Sequence, residues 1–377
     1  MRAGSSPDVV VIGAGIVGAA CTAALAHRGR RVLVLERDFP AGGTTAAGMG
    51  HLVAMDDSPA QLALSAYSLR LWRELLPTLG TSVEYDGCGT LWVATDESQL
   101  DALVAKRDAY DAAGVRAETL GAQELATAEP HLRPGLAGAL LVPGDGVVYP
   151  PGAAAALLDA ARAAGVTVRT RADVVALGVR EVQLASAERI ACDTIVVAAG
   201  ASAATLVPQL PIVPRKGHLV ITDRYPGFCR HQLVELGYLA SAHTMSTESV
   251  AFNVQPRPTG QVLIGSSREL VGWEPSINRD IVRRMLDRAI DFMPALERLS
   301  AIRAWTGFRP ATPDKLPLIG AWSELPGTYV AAGHEGLGIT TATGTAQLLA
   351  DLIAGEPTAI DASPFVPDRV LAAAEVG

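Results

Sequence analysis

Six residues near the amino terminus constrain this chain more than any others. Gly13-Ala14-Gly15-Ile16-Val17-Gly18 follows the β-branched run Val9-Val10-Val11-Ile12 and leads into an alanine-rich stretch that reaches Gly29. The apolar run predicts a buried strand and the alanine-rich stretch a helix. A second short run, Val32-Leu33-Val34-Leu35, ends at Glu36. Strand, helix and strand in that order form the first half of a doubly wound sheet. Each glycine of the G-x-G-x-x-G pattern has a physical task. The first makes the tight turn, the second lets the backbone approach a pyrophosphate at the helix N-terminus, and the third lets helix and strand pack closely. Glu36 is placed to accept hydrogen bonds from ribose hydroxyls. The alternative is an ordinary glycine-rich turn, and the fingerprint by itself does not separate FAD from NAD.

Beyond this unit, residues 60–79 carry apolar side chains at helical spacing (Leu62, Leu69, Trp72, Leu76) and predict a helix leaving the sheet. Short alternating pieces such as Gly89-Thr90-Leu91-Trp92-Val93, and a charged helix over about 97–113, mark a change of architecture. A Gly/Pro-rich stretch at 142–152 precedes an alanine-rich helix ending at Gly165, the strand Val166-Thr167-Val168, and an apolar block at 194–199 closed by Gly200. From Pro211 to about Arg303, strand-like runs with turn chemistry fit an antiparallel sheet. One more strand, Tyr329-Val330-Ala331-Ala332, a glycine-rich loop at 333–338 and a helix through Ile353 follow. Alternation of the two characters predicts a discontinuous Rossmann-like α/β nucleotide domain (1–83, 147–212 and 305–377). An α+β substrate domain on a mostly antiparallel sheet (84–146 and 213–304) is inserted into it.

At 377 residues the chain has room for two domains, and with 49% hydrophobic residues it supports a sizeable core. A net charge of -8 and no Lys/Arg cluster argue against nucleic acid as a partner. Cys21, Cys88, Cys192 and Cys229 lack CxxC spacing, which suggests reduced thiols. No apolar stretch approaches the length of a membrane-spanning helix, and the first apolar run is unlike a signal peptide. A cytoplasmic protein is the expectation.

Five segments in order resemble the D-amino-acid oxidase superfamily of FAD enzymes, in the branch with glycine oxidase, D-amino-acid dehydrogenases and sarcosine-oxidase-like proteins. They are the fingerprint, Gly43-Thr44-Thr45-Ala46-Ala47-Gly48-Met49, the strand around Val174, Val196-Val197-Ala198-Ala199-Gly200, and a C-terminal pair. The pair is Gly307-Phe308-Arg309-Pro310 running on to Gly320, and Gly333-His334-Glu335-Gly336-Leu337-Gly338-Ile339. The resemblance covers nearly the whole chain and implies the superfamily's fold with noncovalent FAD. It implies cofactor contacts at Gly13, Gly15, Ile16, Val17, Gly18, Glu36 and Arg37. It implies further ones at Thr44, Thr45, Gly48, Met49, Val174, Ala198, Ala199 and Gly200. The C-terminal loop adds Gly333, His334, Gly336, Leu337, Gly338, Ile339 and Thr340. Arg309 occupies the place of the arginine that clamps the substrate carboxylate beside the flavin, where a guanidinium offers a planar, bidentate fork. Amides of the loop at 333–338 and the following helix dipole would stabilise charge on the reduced ring.

A narrower resemblance links 43–67, with Gly48-Met49-Gly50-His51, and Gly265-Ser266-Ser267-Arg268-Glu269 to the catalytic subunits of D-hydroxyproline dehydrogenases. Arg268 and His51 join Arg309 as candidate catalytic residues, although a lone His is more often packing and Arg268 is equally a solvated turn residue. There are departures. No cysteine follows Cys229, which rules out covalent attachment in the manner of sarcosine oxidases. Glycine oxidases carry an arginine in the loop after the last strand and an aromatic hydroxyl in the substrate sheet; here stand His334-Glu335-Gly336 and Phe252-Asn253. The expected reaction is hydride transfer from the Cα of a small amino or imino acid to flavin N5, giving an imine, with D-proline or D-hydroxyproline as examples. Dioxygen, a quinone or a partner flavoprotein takes the electrons, in a homo- or hetero-oligomer. Competing readings are a glycine/sarcosine-type oxidase, an FAD-binding subunit of a redox complex, and an NAD-dependent dehydrogenase, against which the C-terminal loop argues.

Overall fold

The computed structural model describes residues 6–237 and 248–370. Val9–Ile12 lies inside a six-stranded sheet, with Val32–Leu35 and Thr194–Val197 parallel to it on either side. Thr167–Arg169 and Thr328–Ala332 extend the sheet in parallel, and Leu318–Ala321 closes one edge antiparallel. Val9 and Val11 point into a helical layer; Val10 and Ile12 point to the opposite layer, where a small three-stranded sheet lies. A strand covered on both faces needs an apolar residue at every position, so its run is unbroken rather than alternating. In the helical layer Ile16–His27 packs on Gly338–Ala354 and Pro150–Ala163, and Gly338–Ala354 packs also on Pro59–Leu75. That last helix starts sharply because Ser58 accepts a hydrogen bond from the Gln61 amide at 3.1 Å with Pro59 at the first helical position.

The second sheet has eight strands in the order Ala301–Ala311, Val213–Arg224, Gln261–Glu269, Glu248–Pro256, Gln232–Glu235, Thr90–Ala94, Gly138–Val142 and Glu118–Gly121. Neighbours are antiparallel except Gln232–Glu235 beside Thr90–Ala94. One face is covered by the helix Arg279–Phe292 through Ile281, Met285, Ala289 and Phe292. The rings of Phe252 and Phe292 stack there at 4.2 Å. The other face sends Trp92, Ala94 and Val234 into the same core as the helical layer of the first sheet.

Two features differ from the sequence expectation. The span 211–303 contains the helix Arg279–Phe292, whose four apolar contacts are set among charged residues that hide their helical spacing. The strand Ala301–Ala311 runs through the expected junction at 304/305 and pairs along its length with Val213–Arg224, because its ladder hydrogen bonds belong to the larger sheet. The four cysteines are unpaired. Among the described residues, no helix is long and apolar enough to cross a membrane.

Candidate active site

The amino-terminal glycine turn is built by close approach. Gly13 has φ of +103°, and a Cβ there would sit 2.6 Å from the Ala198 carbonyl oxygen; a Cβ on Gly18 would sit 2.0 Å from the Gly13 oxygen. Only hydrogen fits, so strand, turn and helix lock together around Ala198. The helix begins at Ile16 behind an extended Gly15 that provides no side-chain cap, while the Ile16 amide donates to the Thr45 hydroxyl at 3.0 Å. The carboxylate of Glu36 accepts from the Ala14 amide at 2.8 Å and the Asp38 amide at 2.9 Å. Its own carbonyl accepts from Ala172, which brings the buried Val174 alongside. Arg37 is exposed and pairs with Asp38. A turn with no room for Cβ, a glycine at the helix N-cap and a carboxylate closing the second strand together fit a dinucleotide.

Other segments gather at this turn. Thr44 donates to the Phe308 carbonyl at 2.6 Å and lies beside Gly200, where an added Cβ would be 4.0 Å from its hydroxyl. Ala199 is the residue before the short turn at Gly200. Gly48 faces Ile339, and Met49 packs on Leu219 and Leu263. From the carboxyl end, a Cβ on Gly338 would lie 3.8 Å from Val17. The two glycine loops therefore meet. Thr340 donates to the His51 carbonyl at 2.9 Å and accepts from the Val53 amide, pinning the 51–53 segment to the start of the last helix. Leu337 precedes that helix without capping it by a side chain. The sequence reading placed His334 at the cofactor. Its ring instead faces Thr345 on the last helix, Nε2 to hydroxyl 2.9 Å, in a setting where burial pushes its pKa down to about 3.

A cleft opens between the loop at 333–338 and the polar face of the eight-stranded sheet, bounded by His51, Asp57, Trp92, Gln232, Asn253, Arg268, Lys315, Glu335 and Gly336. His51 is neutral at ordinary pH: burial takes its pKa down to about 4, against Gln255, with the charge of Arg309 adding to the effect. Its Nε2 has no hydrogen-bond partner among the described residues. Arg309 donates from Nη1 to the Ser267 carbonyl at 2.9 Å and lies flat over Gly217, where any side chain would collide with the guanidinium. Its Nε is 3.6 Å from where a Gly336 Cβ would stand. Arg309 thus sits beside Gly336 and within electrostatic reach of His51, and Arg268 reaches the cleft directly.

Arg215, Lys315, Trp92 and Gln232 were not singled out by the sequence, and Glu335 and Asn253 stood out only as departures from the glycine-oxidase pattern. Glu335 adopts a left-handed φ of +47°, its amide bonded to the Pro310 carbonyl at 2.9 Å. Its carboxylate pairs with the buried Arg215 and stands 4.0 Å from Nε of Arg268. For Gln232 and Asn253 the sequence signal is a polar side chain on a strand beside apolar residues.

Three comparisons with known proteins bear on this geometry. The FAD dependent oxidoreductase (DAO) family model matches residues 8–352. A glycine oxidase of Geobacillus kaustophilus is 31% identical over 376 residues, covering 95% of this chain and 96% of its own. The hydrogen cyanide synthase subunit HcnC of Pseudomonas aeruginosa is 30% identical over 415 residues, covering 96% of each. The crystal structure of glycine oxidase from Geobacillus kaustophilus has a TM-score of 0.86 to this chain at 29% identity, covering 97% of this chain and 99% of that one.

Proposed function

The chain belongs to the DAO family of FAD-dependent oxidoreductases, and on that premise we propose that it oxidises a small amino or imino acid at Cα to an imine. When bound, FAD supplies the hydride acceptor. The six-stranded sheet and its glycine turn hold the cofactor, through Gly13, Gly15, Gly18 and Glu36 at one end and the loop at 333–338 at the other. The eight-stranded sheet presents the substrate. Arg309 and Arg268 orient its carboxylate, which a charge-assisted fork does with more geometric precision than a single ammonium. Neutral His51 adds no further positive charge to that of the arginines. The single observation that carries the reading is a cleft walled on one side by the glycine loop that touches the amino-terminal turn, and entered on the other by an arginine.

At finer grain we infer a D-configured imino acid such as D-proline or D-hydroxyproline, supported by the character of 43–67 and 265–269. A second reading is glycine oxidation, favoured by the 31% identical glycine oxidase; against it stands Glu335 in the loop. The likeness to HcnC, named as a subunit, supports work in a complex that passes electrons to a partner. The test is anaerobic addition of glycine, sarcosine, D- and L-proline and cis-4-hydroxy-D-proline to FAD-loaded protein, followed by air. Bleaching of the flavin by one or more of them is the expected result. A flavin that stays oxidised with every amino and imino acid overturns the reading, and the rate of recovery in air separates dioxygen from other acceptors.

A further inference from the structure

Three adjacent strands of the larger sheet show different chemistry on their two faces. Leu91, Val93, Leu233, Phe252 and Val254 point into the apolar cluster beneath the helix Arg279–Phe292. On the reverse face Trp92 stands opposite Val234, and Val234 opposite Asn253, forming one row across the sheet. Gln232 lies two residues before Val234 and so shares its face. Trp92 and Gln232 are 0% exposed and Asn253 4%. All three line the cleft. Nε1 of Trp92, both amide atoms of Gln232 and Oδ1 of Asn253 have no hydrogen-bond partner among the described residues.

We propose that the substrate carries, beyond its carboxylate and amine, a neutral hydrogen-bonding group, a hydroxyl or a carboxamide, held by Gln232, Asn253 and Trp92. The proposal rests on the amino-acid oxidation reading and narrows its substrate class. Packing alone would fill this row with apolar side chains, as it does on the opposite face. Buried polar atoms left unpaired are costly, so a wall of them is retained where something else pairs with them. The groups are an indole N–H and two carboxamides, which together donate and accept but carry no charge. They complement a dipole such as a hydroxyl, itself donor and acceptor, and give a second carboxylate or an ammonium no counter-ion. The formal charges of the cleft come from elsewhere: Asp57 from the segment before the helix Pro59–Leu75, Arg268 from the next strand, Lys315 and Glu335 from the C-terminal loops. The row is also held in place. The Lys106 ammonium lies 3.9 Å from the centroid of the Trp92 ring and is itself paired with Asp56, which leaves the indole little freedom to turn away.

The experiment compares pairs that differ by one polar group on FAD-loaded protein by anaerobic flavin reduction and by kcat/KM: cis-4-hydroxy-D-proline against D-proline, and serine against alanine and asparagine against leucine in both enantiomers, with glycine alongside. The polar member of at least one pair is expected to be preferred by about tenfold or more, since a site built around a hydroxyl rejects the analogue that lacks it. Gln232→Leu and Asn253→Leu should bring that ratio toward one while retaining the flavin spectrum. Equal rates within every pair in the unmodified enzyme overturn the proposal without any variant, as does a ratio unchanged in both variants. Reduction by glycine or D-proline as fast as by any polar substrate defeats this inference alone. No reduction by any amino or imino acid defeats the oxidation reading with it.

Discussion

Arg309 and Arg268 stand on strands either side of Val213–Arg224, and their surroundings set them different tasks. Arg309 is fixed by the Ser267 carbonyl and by the bare backbone of Gly217, so its plane has one orientation. Arg268 shares the field of Glu335, which Arg215 also neutralises, and is held less rigidly by charge than by place. Replacing Arg309 by lysine keeps the charge but loses the planar fork. Arg309→Lys is therefore expected to raise KM for carboxylated substrates and lower kcat, together about 10- to 100-fold in kcat/KM, or about 1.4–2.8 kcal/mol. Steady-state kinetics check this, and values equal to the unmodified enzyme would reject the orienting role. Gly18→Ala acts earlier: a methyl group 2.0 Å from the Gly13 oxygen forces the turn open. Overpacking of that kind costs about 1–3 kcal/mol, and the purified variant should lose most of its bound FAD, read from the visible absorbance per chain.

The helix Arg279–Phe292 shows what element-scale reasoning needs. Asn278 accepts from the amides of Asp280 and Ile281 at 3.2 and 3.4 Å, and donates from Nδ2 to Glu269 at 3.0 Å, so one side chain caps the helix and ties it to the sheet. Asn278→Ala should destabilise the protein by about 1–2 kcal/mol in a denaturation curve, with flavin content unchanged; an unaltered midpoint would show the cap to be idle. An Asn followed by Ile281, Met285, Ala289 and Phe292 at three- and four-residue steps was present in the sequence to be read, yet the surrounding Arg and Asp residues masked it. Elements covered on both faces, such as Val9–Ile12, were legible because every position is apolar, and the glycine turn was legible because its spacing serves one geometry. The cleft wall was not. Trp92, Gln232 and Asn253 come from distant parts of the chain, and only strand pairing with a definite register sets them in one row. Such pairing depends on long-range contacts, which no local pattern encodes.

Joining two sheets through a polar cleft buries titratable groups, and the stability of the whole molecule records them. Burial pushes His51 down to about 4 and His334 down to about 3, from an ordinary value of 6.5. It lowers His218 as well, against the attraction of Glu269. Between about pH 4 and 6.5 the unfolded chain therefore binds protons at these histidines that the folded protein refuses, so stability rises with pH through that window. Asp145 has the opposite sign: burial pushes its carboxyl up to about 7, opposed by the Ala54 amide and by Arg73 and Lys106. Its contribution is complete below the ordinary carboxylate value of 3.8 and is lost as pH rises through about 7. Two strongly shifted histidines against one carboxyl leave a net uptake near one proton on unfolding, a slope of about 1.4 kcal/mol per pH unit. Unfolding curves at saturating FAD should accordingly gain stability from pH 4 to about 6.5 and flatten toward pH 7, where proton uptake by the unfolded histidines and proton loss from Asp145 come into balance. Asp145→Asn removes the opposing group, so it should steepen the acid limb between pH 4 and 6.5 about twofold. A variant whose acid limb keeps the slope of the unmodified protein would show that another group than Asp145 opposes the histidines.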